Sequence, residues 1–357
     1  MYVRTWVICQ LGIRSPKSAR DRDRSTVSTV SAAVIEVDQD SRLPETARGC
    51  VLSIGKFDGV HEGHQALARA ARELANRTST RSLAVTFDPL PLAILRPEIQ
   101  LGPPLTPLDR KILLLKQFGF DDVAVFRTGE WLLELDARPF FERIVLERFR
   151  AAGLAEGSDF SFGHNRSGDG KMLANWCAAE GLAYTEVPPV ISGGLAVTSS
   201  RIRKALESGD IETVTELLGH GLTTRGRVVR GAGRGRSISV PTANLAEIDT
   251  LLPCPGVYAA AARLLDPENS TPVWRAAAVN IGTQPTFGSE IPRVEVHLVG
   301  EPDRDTYGIE VEVVWLRRVR ETRKFDSVTA LISQIAYDIE RCVDLYESRE
   351  PAAVPFG

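Results

Sequence analysis

The sequence predicts an α/β domain with a doubly wound parallel sheet, followed by a small antiparallel β-barrel and a C-terminal helix. Three observations lead to this fold class. Short apolar runs alternate with helical periodicity from residue 50 to 218, β-type runs separated by Gly, Pro and Asn follow from residue 222, and helical spacing returns near the end. The length of 357 residues agrees, because such a chain ordinarily forms two domains.

The composition is that of a folded protein and excludes several classes. Hydrophobic residues make up 43% and charged residues 25%, so global disorder is excluded. The net charge of −3 argues against a nucleic-acid coat or a basic membrane-surface protein. The five cysteines are scattered and show neither a disulfide framework nor metal-ligand spacing, which indicates a reducing cytoplasm. No run of 18 apolar residues is present, so we expect no membrane span.

We expect residues 1–47 to be a disordered N-terminal extension. The segment from 14 to 46 is rich in Arg, Asp, Ser and Pro, apart from an apolar patch around 32–37. The α/β domain is then expected over 48–221, the barrel domain over 222–348 and a short tail over 349–357.

The α/β domain is predicted from its periodicity. Strand, helix and strand within about 40 residues form a βαβ unit, which implies parallel strands and a right-handed crossover. The expected strands are 51–54, 83–87, 122–126 and 184–187, and the expected helices are 64–76, 109–118, 139–151, 171–180, 200–208 and 211–218.

Short β runs follow after residue 221. We expect strands at 227–230, 257–264, 274–281, 294–299 and 309–319, a spacing that suits a small antiparallel barrel. A helix over 328–346 has one apolar face, which would cover a side or mouth of the barrel; that face consists of Leu331, Ile332, Ile335, Ile339, Cys342 and Val343.

The segment Gly55-Lys-Phe-Asp-Gly-Val-His-Glu-Gly-His64 joins the first strand of the α/β domain to its first helix. Unpaired amides and the positive end of the helix dipole favour phosphate there, and glycines allow close approach of a polyanion. His61 and His64 lie on one helical turn, where two imidazoles can stabilise charge developing on phosphorus. Two surface histidines or half of a metal site are the alternatives, but the sequence suggests no further zinc ligands.

Two segments resemble signatures of the nucleotidyltransferases that release pyrophosphate from ATP. His61-Glu-Gly-His64 resembles their HxGH signature, and Thr198-Ser-Ser-Arg-Ile-Arg203 resembles their Ser/Thr-rich turn that opens a helix. The resemblance implies that Arg201 reaches the β- and γ-phosphates, where a cation neutralises the leaving group.

Residues 157–169 form a third segment, a loop punctuated by glycines that contains two phenylalanines, Asp159 and Arg166. The phenylalanines could cover a planar ring. An ordinary turn with its aromatic residues packed inward is the alternative, and this segment alone favours the turn.

A second constellation lies in the barrel domain. Residues 225–236 contain five arginines, four glycines and no acid, a composition typical of an RNA-binding segment or of a phosphate cradle. In Pro241-Thr-Ala-Asn244 the Thr and Asn oxygens suit Mg²⁺, although a proline turn with a capping Asn has the same pattern. In 293–299, Glu295 and His297 share the polar face of a strand, where Glu295 could act as a base or simply face solvent.

These motifs together resemble one family. The pattern Gly226-x-Val-x-x-Gly231-x-x-x-Gly235-Arg-x-Ile-x-Val-Pro-Thr-Ala-Asn244, followed by Asn280-Ile-Gly-Thr-Gln-Pro-Thr-Phe287 and Glu295-Val-His297, is similar to the riboflavin kinase barrel. Joined to the HxGH domain in this order, residues 48–348 resemble the bacterial bifunctional riboflavin kinase/FAD synthetase family. The resemblance implies an HxGH-type nucleotidyltransferase fold followed by a barrel of riboflavin kinase type.

The resemblance implies two ATP-dependent reactions, riboflavin to FMN in the barrel and FMN to FAD plus pyrophosphate in the α/β domain. The partners are therefore riboflavin, FMN and ATP with Mg²⁺, and we expect a cytoplasmic protein with neither nucleic-acid nor membrane partners. In the kinase, the resemblance implies Glu295 as the catalytic base, Thr242 and Asn244 as ligands of Mg²⁺ and ATP, and Gly231 and Gly235 as ATP-binding residues.

In the adenylyltransferase, the resemblance implies three catalytic groups, His61, His64 and Arg201. The implied flavin-binding residues are Asp159, Phe160 and Arg166. The implied ATP-binding residues are Gly55, Phe57, Asp58, Gly63, Ser199 and Ser200.

Four positions depart from the usual family pattern. Lys56 stands where Asn is frequent, Leu90 replaces a His, Ser161 occupies a frequent Arg position, and Ser239 replaces a Gly before the Pro-Thr-Ala-Asn motif. Three of them belong to the adenylyltransferase, so a riboflavin kinase with a weakened or inactive adenylyltransferase site is the first alternative function. An RNA-binding protein that uses the Arg/Gly-rich loop is the second.

Overall fold

The structure is a computed structural model that describes residues 34–231, 240–267, 272–283, 292–302 and 304–349. These residues form two compact units, which divide between Arg201 and Ile202. The first unit contains a parallel α/β sheet and the second a closed antiparallel barrel with a C-terminal helix. The predicted fold class is therefore confirmed.

The first unit is built on a six-stranded sheet in the order β1-β4-β3-β2-β5-β8, and every neighbouring pair in it is parallel. The central strands are apolar on both faces, as expected for a sheet covered by helices on both sides. The strands of this unit are β1 (Ile35–Val37), β2 (Val51–Ile54), β3 (Ser82–Asp88), β4 (Asp122–Arg127), β5 (Gly153–Gly157), β6 (Ser161–Phe162), β7 (Gly168–Asp169), β8 (Ala183–Val187), β9 (Ile191–Ser192) and β10 (Leu195–Ala196).

Helices connect the parallel strands. The helix predicted over 139–151 begins earlier, at Ala137, and changes into a π-helix at Phe141–Arg148. The α-helices of this part of the chain are α1 (Glu62–Arg77), α2 (Pro91–Leu95), α3 (Leu108–Gln117), α4 (Glu130–Leu133), α5 (Ala137–Phe140), α6 (Gly170–Ala179) and α7 (Ser199–Ser208), and short 3₁₀ turns lie at Glu45–Ala47 and His164–Arg166.

The expected disorder of the N-terminal extension does not hold for residues 34–47. Strand β1 pairs with β4 at the edge of the sheet, and Val37, Leu43 and Ala47 are buried in the core. The Arg148 guanidinium donates to the backbone oxygen of Ser41 at 2.9 Å and so fixes the turn after β1. The prediction failed here because pairing with β4 and burial of a few apolar residues outweigh a polar composition. Residues 1–33 lie outside the described part of the chain.

The second unit contains a closed barrel in the order β11-β12-β15-β14-β13-β16, in which the neighbouring strands pair antiparallel. Strand β12 was not predicted, because the motif around Asn244 lacks alternation. The last helix packs on β13, β14 and β16. The elements are α8 (Ile211–Leu218), β11 (Thr223–Val229), β12 (Ala243–Ala246), β13 (Gly256–Leu265), β14 (Arg275–Thr283), β15 (Pro292–Leu298), β16 (Glu310–Arg320) and α9 (Val328–Glu347).

The two compact units divide within α7 rather than at the expected domain boundary near residue 222. Residues 202–221 pack with the barrel: the Cys254 amide donates to the Leu206 carbonyl at 3.0 Å, and Arg317 pairs with Glu212 at 2.6 Å. Sequence periodicity predicted the helices over 200–208 and 211–218, but it could not show which domain covers their apolar faces. Within the part of the chain that the structure describes, we find no helix with the length and apolarity needed to cross a membrane.

The order of the parallel strands determines where a ligand can bind. Strand β2 lies between β3 and β5, and the strand order reverses there, which makes this the topological switch point of the sheet. In open α/β sheets ligands bind beyond the carboxyl ends of the strands at such a point. The loops after β2 and β5 both begin at that edge.

Candidate active sites

The loop between β2 and α1 has an unusual backbone. Phe57 and Val60 have φ values of 49° and 43°, in the left-handed region that non-glycine residues avoid. Both side chains are fully buried, and this packing holds the loop in shape. A Cβ on Gly55 would lie 3.2 Å from the Phe57 ring, and one on Gly63 would lie 3.1 Å from Cε1 of His61. A side chain at either glycine would therefore press on the Phe57 or His61 ring.

The two histidines of this loop stack on each other. Their ring centroids are 3.6 Å apart with 17° between the planes. His61 precedes the first turn of α1, and no side chain caps the amides of that turn. Burial lowers the pKa of His64 well below 6.5, and the charges of His61 and Lys111 lower it further. His64 is therefore neutral at pH 7, and a neutral imidazole beside free helix amides offers N–H groups to a phosphate.

Asp58 connects the loop to two other segments. Its Oδ1 accepts hydrogen bonds from the amides of Leu105 at 2.9 Å and Thr106 at 3.4 Å, just before α3. Its backbone oxygen accepts a hydrogen bond of 2.8 Å from the Ser199 hydroxyl, in the first turn of α7. The HxGH loop and the Ser-Ser-Arg turn, predicted from distant parts of the sequence, are thus brought together through Asp58 and Ser199. The role of Asp58 as the connecting residue was not predicted.

The other two residues of the Ser-Ser-Arg turn are placed differently. Ser200 is exposed. The Arg201 guanidinium donates through Nη1 to the carbonyls of Ser192 at 2.8 Å and Leu195 at 3.1 Å, in the β9–β10 hairpin. The Arg201 amide donates to the Thr198 hydroxyl at 3.2 Å, which fixes the start of the helix. One side of the guanidinium therefore holds the β9–β10 hairpin.

The flavin residues implied by the resemblance lie in the loop after β5. Phe160 stacks on the buried Phe162 with centroids 5.5 Å apart, so this aromatic pair packs inward as the simpler interpretation had it. The Arg166 side chain donates through Nε to the Ser161 hydroxyl at 2.8 Å, and Asp159 is exposed.

Glu156 is a buried carboxyl at the switch point that sequence analysis missed. Its Oε1 accepts a hydrogen bond of 2.8 Å from the Ile54 amide, at the end of β2. Burial raises the pKa of Glu156 well above the ordinary 4.5, which favours the protonated form of the carboxyl, and the bond from the Ile54 amide opposes this shift. Burial together with the neighbouring Glu156 raises the pKa of Cys177 and of Tyr184 to about 12 each. No residue pattern in the sequence distinguishes Glu156 from an exposed strand residue.

A row of polar side chains crosses three strands of the barrel. Asn244 of β12 and Asn280 of β14 are the cross-strand partners of Glu295 on β15. The Glu295 carboxylate pairs with Arg293 at 3.1 Å and accepts a hydrogen bond from Asn280 Nδ2 at 3.4 Å. Arg293 also donates to Asn244 Oδ1 at 2.8 Å. Glu295 is thus part of a polar row, with Val294 and Val296 buried on the opposite face as the alternation predicted.

The Arg/Gly-rich loop approaches this row closely. A Cβ on Gly231 would overlap the side-chain amide of Asn244, so a larger residue at that position would have to displace this amide. Thr242 directly precedes β12, and His297 Nδ1 donates to the backbone oxygen of Pro241 at 2.8 Å, which fixes the motif against β15. Gly235, which the resemblance places in the same loop, lies outside the described residues, as does Ser239.

A cavity of about 760 Å³ opens beside the polar row. Glu295 and Asn280 line its polar side, and Leu331, Ile335 and Ile339 of α9 line its apolar side. This size and this mixture of surfaces are typical of sites for planar organic ligands. The predicted apolar face of the C-terminal helix thus helps to form a pocket.

One ion pair holds α9 to the wall of this cavity. The buried Asp338 of α9 accepts bonds of 2.7, 2.9 and 3.1 Å from the Arg320 guanidinium of β16, and one of 2.7 Å from Gln334 Nε2. This pair, like Arg293, was not predicted, because its members are distant in sequence.

The oxygens near Thr242 form a donor set of the kind that Mg²⁺ prefers. The Thr242 hydroxyl, the Asn244 carbonyl oxygen and the Glu295 carboxylate are all hard ligands, and Asn244 Oδ1 retains a second lone pair beside its bond from Arg293. Among the described residues there is no group of three or more His, Cys, Asp or Glu arranged as a protein-only metal site. The set therefore fits a cation that takes its remaining ligands from substrate phosphates and water.

Comparison with known proteins shows relatives for both units. The FAD synthetase family matches residues 43–201, and the riboflavin kinase family matches residues 218–346. A bifunctional riboflavin kinase/FMN adenylyltransferase of Escherichia coli strain K12 is 33% identical over 312 residues, which cover 87% of this chain and 97% of that protein. The protein of the same name from Bacillus subtilis strain 168 is 31% identical over 311 residues, or 86% of this chain and 95% of the relative.

A solved structure has the same fold over nearly its whole length. A crystal structure described as a macrolide-efflux protein from Streptococcus pneumoniae matches with a TM-score of 0.76 and 29% identity, covering 87% of this chain and 99% of that one.

The fold and these matches define a two-domain transferase in which an FAD synthetase domain precedes a riboflavin kinase domain. The identity to curated relatives extends across both domains and nearly their full length. The chain belongs to the bifunctional riboflavin kinase/FMN adenylyltransferase family.

Proposed function

We propose that the barrel phosphorylates riboflavin to FMN and that the α/β domain adenylylates FMN to FAD, with ATP as the donor in both reactions. Both activities follow from membership of the family. The observation that supports the assignment of reactions to sites is the separation of two groups of residues: the HxGH loop lies at the switch point of the sheet, and the row of Asn244, Asn280 and Glu295 lies beside the barrel cavity.

In the kinase site, Glu295 is the proposed catalytic base. The riboflavin 5′-hydroxyl attacks the γ-phosphorus of ATP, its proton passes to the Glu295 carboxylate, and the bond from the γ-phosphorus to the bridging oxygen breaks to release ADP. Arg293 and Asn280 hold the carboxylate through contacts of 3.1 and 3.4 Å, so it keeps one orientation toward the cavity. Leu331, Ile335 and Ile339 offer an apolar surface to the flavin ring.

Mg²⁺ is the proposed metal of the kinase site, where Thr242 and Asn244 would hold it together with ATP phosphates. When bound, such an ion neutralises phosphate charge and orients the triphosphate. Gly231 supports this assignment, because its lack of a side chain lets the loop backbone lie against Asn244.

In the adenylyltransferase site, the chain stabilises charge and forms no covalent bond. An FMN phosphate oxygen attacks the α-phosphorus of ATP, and the bond to the β-phosphate oxygen breaks to release pyrophosphate. Neutral His64, His61 and the first amides of α1 would donate hydrogen bonds to phosphate oxygens as charge develops. Arg201 and Ser200 would bind the departing pyrophosphate. Ser199 positions this turn through its bond to Asp58.

The placement of Asp159, Phe160 and Arg166 near FMN rests on family resemblance and on their position after β5. That loop starts at the same edge of the sheet as the HxGH loop, which supports the proposal. Arg166 bonds to Ser161, so a cation stands beside the position where the family frequently has Arg. This contact offers a way for the adenylyltransferase to retain activity despite the substitution.

The RNA-binding alternative is weakened by ion pairs of the basic segment. Arg225 pairs with the buried Glu312 at 3.1 Å, and Arg227 pairs with Glu247 and Glu310 at 3.0 and 3.2 Å. These charges are neutralised within the protein, so the segment is less basic than its composition indicates. The four described cysteines are free thiols, which supports the cytoplasmic location expected from the sequence.

The function is tested with purified protein incubated with riboflavin, ATP and Mg²⁺, followed by chromatographic separation of the flavins. We expect FMN to appear first and FAD to follow. Accumulation of FMN without FAD would favour the weakened adenylyltransferase, and the absence of both products would refute the proposal. Salt-dependent binding of single-stranded RNA without flavin turnover would favour the RNA-binding alternative.

A further inference from the structure

Lys111 is a buried lysine beside the HxGH loop with no role in the family resemblance described above. It lies on α3, and only 5% of its surface is exposed. Asp58 of the HxGH loop accepts hydrogen bonds from the amides of Leu105 and Thr106, so the start of α3 is tied to that loop. Lys111 lies one helical turn beyond this attachment, where its amide donates to the Pro107 carbonyl at 2.9 Å.

The charge of Lys111 acts on the HxGH loop, which contains His61 and His64. The Lys111 charge helps to lower the pKa of His64. Burial lowers the pKa of Lys111 itself, and the carboxylates of Asp58 and Asp88 oppose that shift. The charge of Lys111 is thus influenced by His64 and by the carboxylates of Asp58 and Asp88.

No direct partner compensates this buried charge. Within the described part of the chain the Lys111 ammonium makes no ion pair or hydrogen bond, whereas Lys116 on the same helix pairs with Asp122 at 3.0 Å. Burial of a lysine side chain whose ammonium has no partner in the protein is unfavourable compared with an apolar residue at the same position. Such a charge is explained if a bound anion becomes its partner.

We propose that Lys111 is a phosphate-binding residue of the adenylyltransferase, whose ammonium contacts a phosphate oxygen of ATP. The inference rests on the proposed assignment of FMN adenylylation to this domain. The HxGH loop offers N–H donors from His61, His64 and the first turn of α1, and His64 is neutral at pH 7. An ammonium on the buried Lys111 would add a positive charge beside these donors, where attraction to a polyanion is strong.

The test compares Lys111→Met with Lys116→Met in the full chain, since both substitutions remove a lysine charge from α3. We expect kcat/KM for conversion of FMN and ATP to FAD to fall at least ~30-fold in K111M and to stay within about threefold in K116M. In the reverse reaction, FAD and pyrophosphate give FMN and ATP, and K111M should lose a similar factor. Riboflavin phosphorylation by the barrel should be unchanged in both variants.

Two further measurements separate phosphate binding from a structural role. Because Met removes an unpaired buried charge, K111M should unfold at the same temperature as the wild type or a higher one. Lys111→Arg, which keeps the charge, should recover at least ~10-fold of the activity that K111M loses.

The inference is wrong if K111M adenylylates FMN within threefold of the wild type, or if it loses kinase activity and thermal stability together with adenylylation. If the wild type itself forms FMN but no FAD from FMN and ATP, the proposed function of the α/β domain fails instead, and the two failures are thus distinguishable.

Discussion

Replacement of Asp338 by Asn tests how the C-terminal helix is held over the kinase cavity. The Asp338 side chain is 4% exposed and that of Arg320 is 19% exposed. The substitution keeps the shape of the side chain but removes its charge, and it places an amide N–H group against the guanidinium. Arg320 is then left with a largely buried and uncompensated charge.

The expected cost follows from this burial. Removal of one partner from a buried ion pair destabilises a protein by roughly 3–5 kcal/mol. Because Arg320 is partly exposed, we expect Asp338→Asn to cost about 3 kcal/mol. A matched control lies on the same helix, where Asp344 pairs with Arg341 at 3.3 Å with side chains 58% and 46% exposed. The control Asp344→Asn should cost about 0.5 kcal/mol or less, because water already screens an exposed pair.

Urea denaturation measures both variants, and riboflavin phosphorylation reports on the cavity. D338N should lower the free energy of unfolding of the barrel and raise the KM for riboflavin, because α9 forms the apolar wall of the pocket. D344N should change neither quantity. A loss below ~1 kcal/mol in D338N, or equal losses in both variants, would refute the view that this ion pair fixes α9.

Two further substitutions test other features of the structure. Glu156→Gln keeps the hydrogen bond from the Ile54 amide but cannot ionise. Because the pKa of Glu156 is raised in the folded state, the wild type loses stability as the pH rises above about 4.5. The loss is up to about 1.4 kcal/mol per pH unit. Denaturation curves from pH 5 to 8 should therefore show a weaker pH dependence in E156Q than in the wild type. Equal pH slopes would show that Glu156 is not held in its protonated form. Gly231→Ala should reduce riboflavin phosphorylation at least ~10-fold, because the added methyl group overlaps the Asn244 amide. FMN adenylylation should stay normal. Full kinase activity in this variant would contradict the close approach of the loop to Asn244.

Much of the fold could be predicted from local sequence patterns, because apolar periodicity sets both the type and the buried face of an element. The βαβ unit, the barrel strands with clear alternation and the helix over 328–346 were predicted in this way. Strand β12 was missed because Ala243–Ala246 contains small and polar residues, and it is a strand only through its pairing with β11 and β15. Strand β1 was missed for the same reason, since its pairing with β4 is a tertiary property.

Candidate site residues could be predicted where reactive side chains lie close together in one short segment of the sequence. His61 and His64 stack on one turn, and Glu295 lies on the polar face that alternation assigned to it. Lys111 and Asp338 could not be predicted. A lysine or aspartate in an amphipathic helix looks like a surface residue, and only the fold shows that these two are buried.

The proposed division of the two reactions between two sites is tested most directly by two variants, each assayed with both substrates. Glu295→Gln should convert FMN to FAD at the wild-type rate but form no FMN from riboflavin, because it lacks the base and leaves the α/β domain intact. His64→Ala should form FMN from riboflavin normally and produce no FAD. Wild-type riboflavin phosphorylation in E295Q, or loss of both activities in either variant while the protein stays folded, would contradict the assignment.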